Sequence, residues 1–334
     1  MKIELSGNAR DNSIDVLRCL AILGIILVHS KPGVFLTQLR NFDVPLMVLL
    51  SAVCYGQSRG SKVLYYRYLQ RRFVRLVIPS WIFLTFYFIG VYILTQNVNP
   101  RRMIMCYTLM TPWYLWIIRV LVGMAVIAPF LKNLSDRLTV TELLILCAMM
   151  VGVTEVLAIL SSAYICKVAI MFIPYASIYL FGMNISRLSK RNVLYTGVFF
   201  ILIYFALAVF FYIQKGSYFP TQNYKYPPRI YYVSYALGIS AFLWYFRQQI
   251  TSFLHIFRLT YFAKFIGSHT FWIYLWHIPI VDYLAKHYNY PTTFAIVCLS
   301  SITITYLQVV IVELVCNHIS RPALRKNLQM IFIG

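Results

Sequence analysis

Residues 14–29 read IDVLRCLAILGIILVH, and the fold turns on that stretch. Between Arg18 and His29 stand ten residues, CLAILGIILV, without one polar side chain other than the Cys19 thiol. A helix apolar on every side has no face for water, so it belongs in a protein core or a bilayer. The stretch lacks the strict alternation of a half-buried strand. With its flanks it approaches the ~20 residues that cross a ~30 Å hydrocarbon layer. A mostly polar segment of thirteen residues precedes it, Arg18 interrupts it, and it ends at His29-Ser30-Lys31-Pro32 with no small-residue cleavage pattern. It is therefore expected to be a retained transmembrane helix and not a cleaved signal.

Outward from this helix the pattern repeats. Apolar runs occupy 14–30, 42–57, 76–95, 112–131, 142–160, 168–185, 193–213, 230–246, 265–284 and 293–315. Ten spans would use about 200 residues of the 334, leaving short loops. The chain is 60% hydrophobic and only 12% charged, about half the charge of a soluble domain. The expected fold is all-α and polytopic: about ten transmembrane helices in one integral membrane domain over 1–334, with no soluble domain. Neither an internal repeat nor a low-complexity tract is present. Seven cysteines with no C-x-x-C spacing read as small buried hydrophobes, and no disulfide is implied.

The net charge of +21 would suggest nucleic acid in a soluble protein. Here it sorts by topology. With the N-terminus in the cytoplasm, the inner segments collect nineteen Lys and Arg and the outer segments nine; Arg18 and Arg119 fall within spans. That asymmetry follows the positive-inside rule and predicts both termini in the cytoplasm, so no nucleic-acid partner is needed. Tyr and Trp at run ends, such as Trp81, Trp113 and Tyr288, suit interfacial anchoring among membrane lipids. The longest outer loop, 214–229, reads QKGSYFPTQNYKYPPR. It suits an ordered cap or, alternatively, a sugar platform. The Asn133 and Asn184 glycosylation patterns would face inward and stay unused.

Ionisable groups inside a membrane default to functional hypotheses. Arg18 and His29 are eleven residues apart, which at 100° per residue puts them within about 20° of one stripe and about 16 Å apart. Asp15, one turn before Arg18, can pair with it and lower the cost of burial. The bland alternative is an ion pair at the inner boundary and a histidine at the outer one. A second cluster, Arg71-Arg72-Phe73-Val74-Arg75, places Arg72 and Arg75 one turn apart before Pro79, at the start of the third helix on its cytoplasmic side. Such a pair can clamp phosphates bidentately; plain topogenic charge explains it equally well. In 270–279, TFWIYLWHIP, Thr270, Tyr274, His277 and Val281 share a stripe. Thr270 and Tyr274 are expected to hold His277 by hydrogen bonds, near a carbonyl freed by Pro279; a satisfied core histidine is the alternative. No phosphate-binding loop, zinc motif or D-x-D occurs, and nine scattered acids argue against a carboxylate-pair glycosidase.

These segments together resemble the acyltransferase 3 family of integral membrane acyltransferases. IDVLRCLAILGIILVH is similar to its first helix, where an Arg and a His flank ten residues. FDVPLMVLLSA, 42–52, resembles its second helix, with Ala52 where Gly is usual. Arg72-x-x-Arg75 resembles its Arg-x-x-Arg segment. Pro112-Trp113-Tyr114-Leu115 resembles the start of its fourth helix, with Pro112 where a His often stands. Thr270 to Pro279 resembles its late Ser-Tyr-x-x-Tyr-Leu-x-His-x-Pro motif.

The resemblance implies a bacterial cytoplasmic-membrane enzyme that moves an acyl group, acetyl or succinyl, from cytoplasmic acyl-CoA to a hydroxyl of a cell-surface or lipid-linked glycan. No permanently bound cofactor or metal is expected; acetyl-CoA would be the donor substrate. Arg72 and Arg75, with Arg71, would meet its phosphates. Arg18 would neutralise the donor or polarise its carbonyl. His29 would serve as general base or acyl carrier, with His277 as a secondary candidate. A transporter or flippase for a glycan or lipid is the rival reading, although the two halves show no matched pair of broken helices.

Overall fold

A computed structural model describes residues 11–57, 64–111, 113–160 and 164–333, and no side chain over 164–169. Lys2, Arg10, Arg59, Lys62, Pro112 and the side chain of Lys167 lie outside the described residues. The described chain is helical, with no strand: α1 (Asn12–His29), α2 (Val34–Leu39), α3 (Asp43–Gln57), α4 (Tyr65–Thr95), α5 (Pro100–Tyr107), α6 (Trp116–Arg137), α7 (Val140–Leu160), α8 (Tyr164–Asn184), α9 (Lys190–Lys215), α10 (Ile230–Tyr245), α11 (Arg247–Ile256), α12 (Thr260–Ser268), α13 (Thr270–Leu284), α14 (Tyr290–Asn317) and α15 (Pro322–Phe332). Six of these, α1, α4, α6, α7, α9 and α14, are long and apolar enough to cross a membrane.

Burial ranks the helices. In α1, 61% of the apolar window is enclosed by protein, against 17% in α9 and 22% in α7. Helix α1 is thus the axle, packed by α3, α11, α12, α13 and α14. The exposed residues Phe199, Leu202, Phe205, Val209 and Ile213 of α9 recur at helical spacing, and this apolar stripe has lipid as its natural solvent. Close approach between helices uses glycine, as membrane packing favours. A Cβ on Gly267 of α12 would stand 1.8 Å from the carbonyl oxygen of Asp15 in α1, so only glycine permits that crossing.

The structure departs from the sequence reading in three places. The run 265–284 is two helices and not one, divided at His269. Ser268 Oγ (3.0 Å) and His269 Nδ1 (2.8 Å) both bond the carbonyl of Phe265, and such side-chain bonds compete with the helical ladder. Helix α4 begins at Tyr65, well before the apolar run at 76, so Arg67 and Arg71 join Arg72 and Arg75 on its first turns. At 1.5 Å per residue α4 is about 46 Å long, more than the ~30 Å hydrocarbon layer, so one end must project. The fourth run becomes helical only at Trp116. Before it, Thr111 Oγ1 accepts the N–H of Trp113 at 3.1 Å, a local turn bond that holds 113–115 out of the helix.

Candidate functional site

Helix α1 carries Arg18 near one end and His29 at the other, and each faces its own chamber. The chamber at the Arg18 end, about 170 Å³, is also lined by Arg72 and Arg75 of α4, by Ser268, His269 and Thr270 at the α12–α13 break, and by Ile331 of α15 and Ile333 just after it. Three arginines separated by 54 and 57 positions in sequence thus face one space. Arg71 is exposed and does not line it. Arg18 Nη1 lies 3.4 Å from Asp15 Oδ1, and its Nη2 donates to Cys54 Sγ at 3.3 Å. The Arg72 guanidinium rests over the Tyr68 ring, 5.4 Å from its centroid. The C-terminal helix is tied in place where the Trp272 indole donates to the Ile331 carbonyl at 3.0 Å and the Gln308 amide donates to the Phe332 carbonyl at 2.7 Å.

The chamber at the His29 end, about 160 Å³, is lined by His29, Arg40, Asp43, Gln222, Lys225, Tyr226 and Tyr274 among others. Ile25, Ile117 and Tyr274 line both chambers. One layer of side chains therefore separates them, and Ile25 lies on the Arg18–His29 stripe.

His29 and His277 form a pair. Nδ1 of His29 is 2.8 Å from Nε2 of His277, and the rings stack at 5.0 Å with 13° between planes. His277 is fully enclosed, and its Nδ1 bonds the backbone carbonyl of Tyr274. A carbonyl can only accept, so that Nδ1 carries a proton. In the neutral ring Nε2 is then the acceptor, and His29 must donate to it from Nδ1. Nε2 of His29 is left as a bare lone pair. Tyr114 packs its ring edge-on against His29 at 4.5 Å. It is itself held twice: its hydroxyl donates to Asp282 Oδ1 at 2.9 Å, and its carbonyl accepts from the Tyr274 hydroxyl.

The sequence reading assigned Thr270 and Tyr274 to orienting His277. The structure gives a different arrangement: the carbonyl of Tyr274 bonds His277, its hydroxyl donates to the Tyr114 carbonyl, and Thr270, at the start of the same helix, lines the Arg18 chamber. A backbone carbonyl was the better-placed acceptor because His277 sits only three residues on, over the preceding turn.

A buried charge cluster that the sequence reading missed completes the His29 chamber. Arg40 Nη1 donates to Asp43 Oδ2 at 2.8 Å, and Arg40 Nη2 donates to Gln222 Oε1 at 3.1 Å. Lys225 Nζ is 3.8 Å from Asp43 Oδ1. All three charged residues are 4% exposed or less. Burial pushes the Lys225 ammonium down to about 8; Asp43 pulls it up and Arg40 pushes it further down. Lys225 comes from the 214–229 loop, which packs as a cap. Thr221 bonds Gln38 and Asn41, and Glu155 of α7 accepts from both Arg229 Nε (2.8 Å) and the Ile230 N–H (2.6 Å). The i, i+3 spacing of Arg40 and Asp43 was the available signal; nothing local in the loop marked Lys225.

A family model described as an acyltransferase domain matches residues 11–312. The chain belongs to the acyltransferase 3 family. No curated protein and no solved structure matches it. Membership makes it a membrane acyltransferase in general. The matched span contains every residue of both chambers except Ile331 and Ile333. Among the described residues no group of His, Cys, Asp or Glu could hold a metal ion.

Proposed function

We propose that the protein moves an acyl group, acetyl in the simplest case, from cytoplasmic acyl-CoA to a hydroxyl of a cell-surface or lipid-linked glycan in a bacterial cytoplasmic membrane. On this reading the chain makes ten spans with both termini in the cytoplasm, and the Arg18 chamber opens inward. Arg72 and Arg75 meet the donor phosphates, and Arg18 faces the donor beyond them. The acyl thioester reaches past Ile25 and Tyr274 to His29. There Nε2 of His29 takes the acceptor hydroxyl proton as the oxygen attacks the thioester carbon. The carbon–sulfur bond breaks, and the imidazolium returns the proton to the departing thiolate. His277 works through His29, holding its other nitrogen protonated.

The observation that carries this reading is the pair of adjoining chambers on one helix, lined by three arginines in one and in the other by the His29 imidazole, its Nδ1 committed to His277. A simple transporter would need no such imidazole. The test uses purified protein, acetyl-CoA labelled in the acetyl group, and glycan isolated from a strain lacking the protein. Label is expected in the glycan with parent protein and none with His29→Ala. Glycan left unlabelled by the parent protein would reject the reading.

A further inference from the structure

We propose that the His29 chamber is a carboxylate subsite: Lys225, assisted by Arg40, receives a carboxylate carried by one of the two substrates. This rests on the acyl-transfer reading of that chamber and narrows its substrate class.

The starting point is charge. Two buried cations, Arg40 and Lys225, face a single carboxylate, Asp43. Asp43 is already engaged on both oxygens, Oδ2 by Arg40 at 2.8 Å and Oδ1 by the Val44 N–H at 2.7 Å. At 3.8 Å from Oδ1, Lys225 Nζ is outside hydrogen-bond range. It donates to no described residue. Its surroundings are the rings of Trp116, Tyr232 and Tyr226, 5.6, 5.8 and 5.9 Å away. Arg40 Nε, also buried, has no acceptor either. A buried charge without hydrogen bonds is expensive, and the ring faces return only part of that through cation–π attraction. The site is complete only when an anion enters.

Size and charge select the anion. A chamber of about 160 Å³ is below the ~300 Å³ at which pockets begin to enclose a drug-sized ligand, so it admits a group and not a whole sugar. The uncompensated charge is a single positive one, which a carboxylate neutralises; a phosphate monoester at about −1.5 to −2 would overshoot. The Arg40 fork is occupied by Asp43 and Gln222, which leaves Lys225, a compact point charge with three donors. Such a carboxylate has two sources. It can be the far end of a dicarboxylic acyl group delivered past Tyr274, or the acid of an acidic acceptor sugar.

The experiment measures binding of two matched pairs to the full-length protein in detergent. Succinyl-CoA is compared with acetyl-CoA, and methyl β-glucuronide with methyl β-glucoside. In the parent protein the charged member of one pair is expected to bind about tenfold tighter, and the pair that shows it identifies the source. Lys225→Met keeps side-chain length and removes the charge. It is expected to erase that advantage and to leave the neutral member within about twofold. A parent protein that distinguishes neither pair overturns the proposal, whether or not the variant folds. So does a Lys225→Met protein that weakens charged and neutral members alike, the behaviour of a general electrostatic stabiliser. If the preference is found but no labelled acyl group ever reaches a glycan, the acyl-transfer reading fails and the anion subsite stands.

Discussion

Replacing His277 by Phe removes the acceptor of the His29 Nδ1 proton and the donor to the Tyr274 carbonyl. The ring stack with His29 survives in outline, and the bundle keeps an aromatic of similar size in a fully enclosed position. The loss that bears on proton transfer is the 2.8 Å bond that keeps the His29 proton on Nδ1 and the lone pair on Nε2. In the transition state His29 is becoming an imidazolium, so the lost bond is one to a charged group, about 1.5–3 kcal/mol. At 1.36 kcal/mol per tenfold, that is a fall of about tenfold to about 150-fold. Because His277 acts only through His29, the loss should fall in kcat with the donor KM unchanged. His277→Gln, whose side-chain oxygen can accept from Nδ1, should recover part of it. The assay is transfer of label from acetyl-CoA to isolated glycan. His29→Ala should lose on the order of a hundredfold or more, and His29→Ala/His277→Phe should be no slower than His29→Ala alone, since residues that act as a unit are not additive. Parent-like kcat in His277→Phe would refute the reasoning, and so would a double variant slower than His29→Ala by the full His277 factor.

Further outcomes are expected. Lysine at both 72 and 75 keeps the charge but loses the planar fork, so acyl-CoA binding should weaken about tenfold while the protein still inserts; unchanged binding would reduce both residues to topogenic charge. Asp15→Asn/Arg18→Gln removes a largely enclosed pair together, which is often neutral for stability, so it should match the parent in thermal melting in detergent yet fail in transfer; an active double variant would make Arg18 structural. Gly267→Ala sets a Cβ 1.8 Å from the Asp15 carbonyl oxygen and should lower stability by at least the ~1–3 kcal/mol of an overpacked contact, read as a lower Tm. Lys225 is faced by Asp43, Arg40, His29, Tyr226 and Tyr232, and burial holds it down to about 8. It is charged below that pH and neutral above it, so the preference for a charged ligand should fade between about pH 7 and pH 9. Without ligand, the native state binds fewer protons than the unfolded chain from about 8 up to the ordinary 10.5, so stability should rise with pH across that window.

The parts of the site that could be read from sequence are those that lie along one helix. Arg18 and His29 share α1, and the eleven-residue spacing alone put them on one stripe. Arg72 and Arg75 announced themselves as a basic pair at the start of a helix, although the reach of that helix back to Tyr65 was hidden, because Tyr65–Arg75 is too polar to look like a span. The contacts that join helices were not legible. Nothing local says that His277 stacks on His29 from 248 residues away, or that the 214–229 loop brings Lys225 to Asp43. The helix break at His269 was obscured by continuous hydrophobicity: Gly267-Ser268-His269 is apolar enough in context to be averaged into one run, and the competing bonds to the Phe265 carbonyl appear only in three dimensions.

On the proposed reading, one helix links a donor chamber to a reacting imidazole in the adjoining chamber. The most direct test places the protein in sealed vesicles, with labelled acetyl-CoA on the side of Arg72 and Arg75 and glycan acceptor only on the side of His29. Acetylated glycan is expected with the parent protein, its loss with His29→Ala, and its loss when the donor is supplied on the acceptor side alone. Equal labelling from either side, or labelling that survives His29→Ala, would contradict it.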